Sequence, residues 1–538
     1  MLRIACLCAL VALALVPAAA ARPDAVAPAA QLPPVTATTF LVSGRGWGHG
    51  VGMSQYGALA LANDGAGYEE ILTHYYTGVT LGAAPVARVR VLVVEAKPAL
   101  TVSSTAAFRV RDAFGKTTQL PAGSVRLDRK LEVTVNGQPQ ALAGPLVFLP
   151  GAGAPLAVDG VAYRGQVSVA VTAGKLDAVN DVGLEQYLYG VVPREMPAAW
   201  ATEALKAQAV AARSYALAHR VKGKPFDLYA DVRSQVYGGI RGEHPRTTAA
   251  IDATAGQVML FDGRIVNALF HSTSGGRTAS AAEVFGGDVP YLVGVDDPGS
   301  ALSPVHAWGP VPVTDVAVRK GLKLGAPVRG IALVRSPSGR VATATVTTTV
   351  GKRSVRGNDL RSALGLRSTW VTSLQALSLT RPGGPVVHGN AVLLTAEAKG
   401  AKDVVLAQRV GPAWQPVASR PAGAKLSAKV RLTAPATFRL TAGRLGGPTL
   451  RVPVAPRVSA KRDAAGVAGT VVPAQTAGAI RLERLEGEAW LPVPDAVAAG
   501  DEAGAYRIDV PLASGSYRVR VAPAAGYAQG LSAVLRVP

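Results

Sequence analysis

Apolar and polar positions follow three rhythms along the chain. From Val86 onward, short β-branched runs are separated by Gly, Pro and Asn: VARVRVLVVEA, ALTVSS, FRVRDAFG, LEVTVNG, LVFLP and GQVSVAVTAG. Such runs predict antiparallel strands. The spacing then lengthens: Leu205, Val210, Ala212, Leu217 and Val221 recur within a run of good helix formers that has Pro197 near its first turn, which predicts a long helix beginning near Pro197. YEEILTHYY, 68–76, predicts a short helix, and GQVMLFDG, IVNALFHST and VATATVTTTV predict further strands. After Trp370 the pattern is strand-like throughout. The fold class is therefore α+β, a mixed domain with a β-rich part and a central helix, followed by all-β sequence.

That last stretch repeats itself. Leu406, Gly411, Ala413, Trp414, Pro416 and Val417 recur as Leu482, Gly487, Ala489, Trp490, Pro492 and Val493, with FRL at Phe438 answered by YRV at Tyr517. Two sandwich-like repeats, 376–455 and 456–538, fit this period of about 80 residues.

The N-terminal pattern differs again. Arg3, an apolar run from Ile4 to Val16, Pro17 and an Ala-rich site predict a secretory signal peptide over 1–21, too short to span a bilayer with margin. No later apolar run reaches about 18 residues, so no stable membrane anchor is expected. Residues 22–39, with Pro23, Pro28, Pro33 and Pro34 among Ala and Thr, read as a spacer. Cys6 and Cys8 are the only cysteines, and both fall within the predicted signal peptide. The mature chain would then lack disulfides, thiolate ligands and a cysteine nucleophile.

The 538 residues suffice for three or four domains, and the formal charge is +21. An exported basic surface meets the anionic cell envelope. A nucleic-acid partner is disfavoured by the export signal and by the lack of a basic helix or binding motif.

Four separated runs carry the chemistry. Residues 187–220 read YLYGVVPREMPAAWATEALKAQAVAARSYALAHR, 231–239 DVRSQVYGG, 271–276 HSTSGG and 44–58 GRGWGHGVGMSQYGA. Together they resemble the SpoIID/LytB family of bacterial cell-wall proteins. The resemblance covers about residues 40–375. In that family the GWGHG run lies at the C-terminal end of the domain, whereas here it comes first, which suggests a circular permutation. The expected parts are 40–84, the displaced segment; 85–165, β-rich; and 166–375, holding Glu195. The permutation predicts that 40–84 pack beside Glu195.

The resemblance implies lytic transglycosylase activity, with Glu195 of the E-M-P triplet as general acid and base. Cleavage of the β-1,4 bond between N-acetylmuramic acid and N-acetylglucosamine with 1,6-anhydro closure needs only one carboxyl group, because the nucleophile is the sugar's own C6 hydroxyl. Ordinary glycosidases use two. A neutral-pH proton donor needs a pKa well above about 4.3. A helix N-terminus after Glu195 would favour the anion, so desolvation by Val191, Val192, Met196 and Trp200 would have to prevail.

Other residues are read more openly. Lys206, Gln208, Arg213 and Tyr215 also match the family pattern; Arg213 suits a substrate carboxylate or acetamido oxygen as well as it suits a structural ion pair. Gln235 and Tyr237 are the types that hydrogen-bond and stack on sugars. HSTSGG reads as a loop at a strand end, where Gly275 and Gly276 would let backbone amides approach a ligand. In it, Ser272 and Ser274 are candidate contacts and His271 the candidate second polar group beside Glu195. GWGHG adds His49, with Gln55 just after it. Some family members are thought to hold zinc through Cys and His. No H-E-x-x-H occurs here, so no metal and no cofactor is expected. The expected partners are peptidoglycan glycan strands, with anionic wall polymers or a cell-wall amidase as further ones. The alternative is a non-catalytic wall-binding protein that stimulates an N-acetylmuramoyl-L-alanine amidase.

Overall fold

The computed structural model describes residues 32–135, 137–421 and 425–538. The expected signal peptide, with Cys6 and Cys8, lies outside them, as does most of the expected spacer.

The spacer reading fails at its end. Val35–Arg45 is a strand, paired antiparallel with Val371–Arg381 on one side and Ala307–Thr314 on the other. Its threonines looked like linker composition, but Thr is β-branched and suits a pleated surface. Cross-strand, Thr36 bonds Thr380 at 2.8 Å and Thr38 bonds Ser378 at 3.0 Å.

The β-rich part forms a seven-stranded sheet and a four-stranded sheet around Val89, Val91, Phe108, Phe148, Val167 and Val169. The sheet crosses the boundary expected at 165: Gln166–Thr172 pairs with Leu146–Leu149, and Lys175–Gly183 pairs with Arg88–Lys97. Composition does not change there, because the hydrogen bonds that define the sheet are long-range.

The long helix is Thr202–Ala218, five residues later than predicted. Pro197 instead separates it from a single turn, Val192–Glu195. The apolar stripe understates its burial, since three cores meet on it. Ala209, Ala212 and Ala216 face the β-rich core; Ala207, Val210 and Ala211 face Val51, Met53, Ile71 and Tyr75; Ala204 and Leu205 face Met196. Alanine on all sides lets each layer approach closely, as in a helix apolar all round.

Residues 40–84 thus pack against the helix that follows Glu195. Gln55–Asn63 and Tyr68–Tyr75 are its helices.

The boundary expected at 375 also falls inside a strand. Val371–Arg381 joins Val35–Arg45 to Ala391–Lys399, so one five-stranded sheet continues into the C-terminal region. Leu426–Arg431 completes that sheet, and Val404–Val410, Ala413–Arg420, Ala436–Ala442 and Leu445–Val452 form a four-stranded sheet whose Leu406, Phe438 and Leu440 share a core with Leu377 and Leu394 of the five-stranded one; 457–537 form further sheets over a core containing Val467, Leu482 and Val519.

Candidate functional site

Glu195 ends the one-turn helix Val192–Glu195. Val191 and Val192 anchor that turn in the β-rich core, and Met196 packs against Ala204, Leu205 and Ala250. Glu195 therefore stands at a helix C-terminus, and the dipole opposition anticipated from sequence is absent. Its backbone is fixed from a distance: Gln55 Nε2 donates to the Glu195 carbonyl oxygen at 3.0 Å and to Gln208 Oε1 at 3.2 Å. The segment 40–84 is thereby tied to the site.

The carboxyl group is half-buried, and among the described residues it makes no hydrogen bond or ion pair. Burial alone holds it above the usual carboxylate range. Of the expected apolar wall, Val191, Val192 and Met196 are buried. Trp200 is partly exposed, and the Tyr56 ring meets it edge-on at 4.7 Å.

Two tyrosines sense Glu195. Tyr215 is half-buried, and its hydroxyl is pushed up by burial and then by the charge of Glu195. Burial pushes up Tyr187 too, with Tyr237 and Glu195 adding to it. Tyr187 donates to Gln235 Oε1 at 3.3 Å. The amide nitrogens Gln235 Nε2 and Gln208 Nε2 are buried without a partner among the described residues. The structure thus gathers Glu195, Gln55, Tyr215 and Gln235, and adds Tyr187 and Gln208 from the same motifs.

Other candidates are placed elsewhere. Arg213 is fully buried; it donates to Glu185 Oε1 at 3.0 Å and the Gln257 carbonyl at 2.9 Å, and ion-pairs with Glu185. It is a structural cation with no face toward a substrate. Tyr237 is buried too, donating to Asn180 Oδ1 at 2.9 Å between the rings of Tyr163 and Tyr187.

His271 does not stand beside Glu195. Phe270–His271 pairs in parallel with Met53–Ser54, and successive side chains on a strand point to opposite faces. Phe270 faces Tyr215, ring centres 6.2 Å apart. His271 turns the other way, with Nδ1 bonded to the Val51 carbonyl at 3.2 Å and its ring 5.4 Å from that of His49. Burial, His49 and Arg340 drive its pKa down, so it is neutral. His49 Nδ1 accepts from Val51 N at 3.1 Å, and burial pushes it down to about 4.

Ser274 is buried and donates to Asp297 Oδ2 at 2.5 Å; Tyr75 donates to Asp297 Oδ1 at 2.9 Å. The Ser272 carbonyl accepts from Tyr56 N at 3.1 Å. Gly275 serves chain packing, since a Cβ there would come within 2.8 Å of Arg45 Cβ, whereas a Cβ at Gly276 would meet only His306 Cε1, at 4.0 Å. Asp297 and Arg340, which donates to the Ser274 carbonyl at 2.7 Å, carry no local sequence signal that would have revealed them.

A zinc site of the kind the family resemblance raised does not fit these residues. His49 Nδ1 accepts from a backbone amide, which leaves the Nε2 of the neutral ring protonated, and both rings feel Arg340 and Arg361 as neighbouring charges. Among the described residues no third His, Cys, Asp or Glu joins them in a ligand group.

The family model for Stage II sporulation protein, SpoIID, matches residues 172–261, which include Glu195, the central helix and Gln235. The chain is 32% identical over 240 residues to Stage II sporulation protein D of Bacillus amyloliquefaciens, covering 40% of this chain and 68% of that protein. It is 38% identical over 141 residues to an uncharacterized protein of Brachyspira hyodysenteriae, covering 26% of this chain but only 38% of that one. A third relative is the amidase enhancer of Bacillus subtilis, 42% identical over 110 residues, 20% of this chain and 15% of the enhancer. With the motifs, the helix that carries them and two-thirds of a namesake's length in agreement, the chain belongs to the SpoIID/LytB family.

Proposed function

We propose that this protein is an exported peptidoglycan lytic transglycosylase with Glu195 as its general acid and base. The observation that carries the reading is the Glu195 carboxyl: half-buried and raised by burial alone, with neither a partner nor a second carboxylate acting on it among the described residues. Protonated, it donates to the glycosidic oxygen as the bond from C1 of N-acetylmuramic acid breaks. As carboxylate, it then takes the proton of the C6 hydroxyl, whose oxygen closes on C1 to form the 1,6-anhydro ring. The tethered nucleophile makes a second carboxylate unnecessary. Gln55, held by Gln208, positions the glutamate; the half-buried Tyr215 is the group beside it for the sugar, and the buried Gln235 accepts from Tyr187. The +21 charge suits work at an anionic wall.

The order of motifs is that of a circular permutant. The hydrogen bond from Arg45 N to the Trp370 carbonyl, 2.9 Å, supports this, because a direct link between those neighbours would restore the family order.

The likeness to an amidase enhancer favours a second reading, in which the same site binds glycan and the chain stimulates a separate amidase. Mass spectrometry of intact and peptide-stripped peptidoglycan after incubation with the purified chain, and with Glu195→Gln, separates the two. Anhydro products from the wild type alone support the transglycosylase, and reducing ends mean a hydrolase. Binding without cleavage transfers the assignment to the enhancer.

A further inference from the structure

The two copies of the L-x(4)-G-x-A-W-x-P-V motif sit on strands paired in the same register. Ala407 stands opposite Pro416 and Arg439 in the first copy; Glu483 stands opposite Pro492 and Arg518 in the second. In each an arginine lies over the indole: Arg439 Cζ is 4.3 Å from the Trp414 ring centre, and Arg518 Cζ 4.4 Å from that of Trp490.

The copies differ where charge is concerned. Glu483 is buried and ion-paired with Arg518 at 2.7 Å and Arg520 at 3.2 Å. Its counterpart is Ala407, so Arg439 makes no ion pair among the described residues, and its Nε is buried without a partner. Directly opposite Trp414 is the exposed Arg409, where the second copy has Leu485 opposite Trp490. The surrounding charge follows suit. Residues 376–455 hold eleven Lys and Arg against two Asp and Glu, whereas 456–538 hold nine against eight.

An indole face offsets only part of the cost of desolvating a guanidinium. Arg439 therefore has hydrogen-bonding capacity that its own fold does not use. Arg409, Pro416, Thr449 and Arg451 on the same outer face are exposed, so this is an open strip rather than a pocket. Diagonal neighbours on such a face stand about 7–8 Å apart, which suits a polymer carrying charge at intervals. Guanidinium forks match phosphate oxygens in bidentate fashion.

We propose that the strip around Trp414, Arg409 and Arg439 binds a phosphodiester polyanion of the cell envelope, and that Glu483 closes the corresponding face of the second copy. The proposal rests on the chain working outside the cytoplasm and is independent of Glu195.

The test measures binding of the full chain to poly(glycerol phosphate) across a range of NaCl concentrations. Ala407→Glu, which installs the carboxylate of the second copy, should weaken binding about tenfold. Arg409→Gln, at an exposed position, should lower the slope of log K against log salt by about 0.7, one phosphate contact. Glu483→Ala should open a second site. Glu195→Gln should bind like wild type, so failure of the catalytic reading leaves this measurement intact. Unchanged affinity in both Ala407→Glu and Arg409→Gln would overturn the proposal. Equal or tighter binding of poly-glutamate, or of a single-stranded oligonucleotide of the same charge, would overturn the choice of polymer.

Discussion

The raised pKa of Glu195, on which the proposed acid role rests, comes from burial among its neighbours. Proton donation contributes roughly 10²–10⁴-fold in such reactions, so Glu195→Gln should reduce anhydro-product formation by at least about that factor while glycan binding, measured by pull-down on insoluble peptidoglycan, is retained. Because the acid form must be present, kcat/KM should fall as pH rises through the raised pKa of Glu195. The same shift has a stability sign. The folded state holds this proton more tightly than the unfolded state, so its contribution is present at low pH and lost as pH rises through the folded pKa. Thermal melts should therefore show Glu195→Gln gaining on wild type as the pH rises from the usual carboxylate range through the raised pKa of Glu195. The E-M-P run singled out Glu195 and its apolar neighbours; the hold on its backbone was not legible, because Gln55 reaches the Glu195 carbonyl from a separate stretch of chain. His271 was misplaced for a related reason. Whether a side chain in a loop motif faces one neighbour or its opposite depends on strand pairing, which local sequence does not encode.

Among the elements, the glycine loop and the central helix answer most clearly to packing. Gly46, Gly48, Gly50 and Gly52 all have positive φ, and a Cβ at Gly50 would sit 2.5 Å from the Arg340 guanidinium. Gly50→Ala should cost about 1–3 kcal/mol from backbone strain alone, measured by urea denaturation. The alternating glycines announced themselves in sequence as an unusual loop, but their reason is contact with HSTSGG and Arg340. The helix was legible from its alanines and apolar spacing, although its start was placed at Pro197 rather than Thr202. A proline near a helix start fits either the long helix or the preceding turn, and burial of Met196 decided between them. Arg213, read as equally suited to substrate and to structure, anchors that helix to Glu185. Arg213→Ala should destabilise the fold by about 3–5 kcal/mol, because Glu185 loses its partner, with differential scanning calorimetry as the check.

Across the described residues, the five-stranded sheet joins Val35–Arg45 to strands of the C-terminal region, Ala391–Lys399 and Leu426–Arg431. A chain truncated at residue 375, the boundary suggested by composition, should lose cooperative unfolding, since the cut removes half of Val371–Arg381 and exposes Val35–Arg45. A melt as sharp as that of the full chain would refute this. Sequence alone determined the strand-rich α+β character, the repeated C-terminal motif and the family, since all of these are carried by local composition, periodicity and contiguous runs. Only the tertiary structure decided where the sheets begin and end, that Arg213 and Tyr237 face inward, and that Gln55 holds the backbone of Glu195. Those outcomes depend on hydrogen bonds and buried contacts between residues up to several hundred positions apart, and no window along the chain contains both partners.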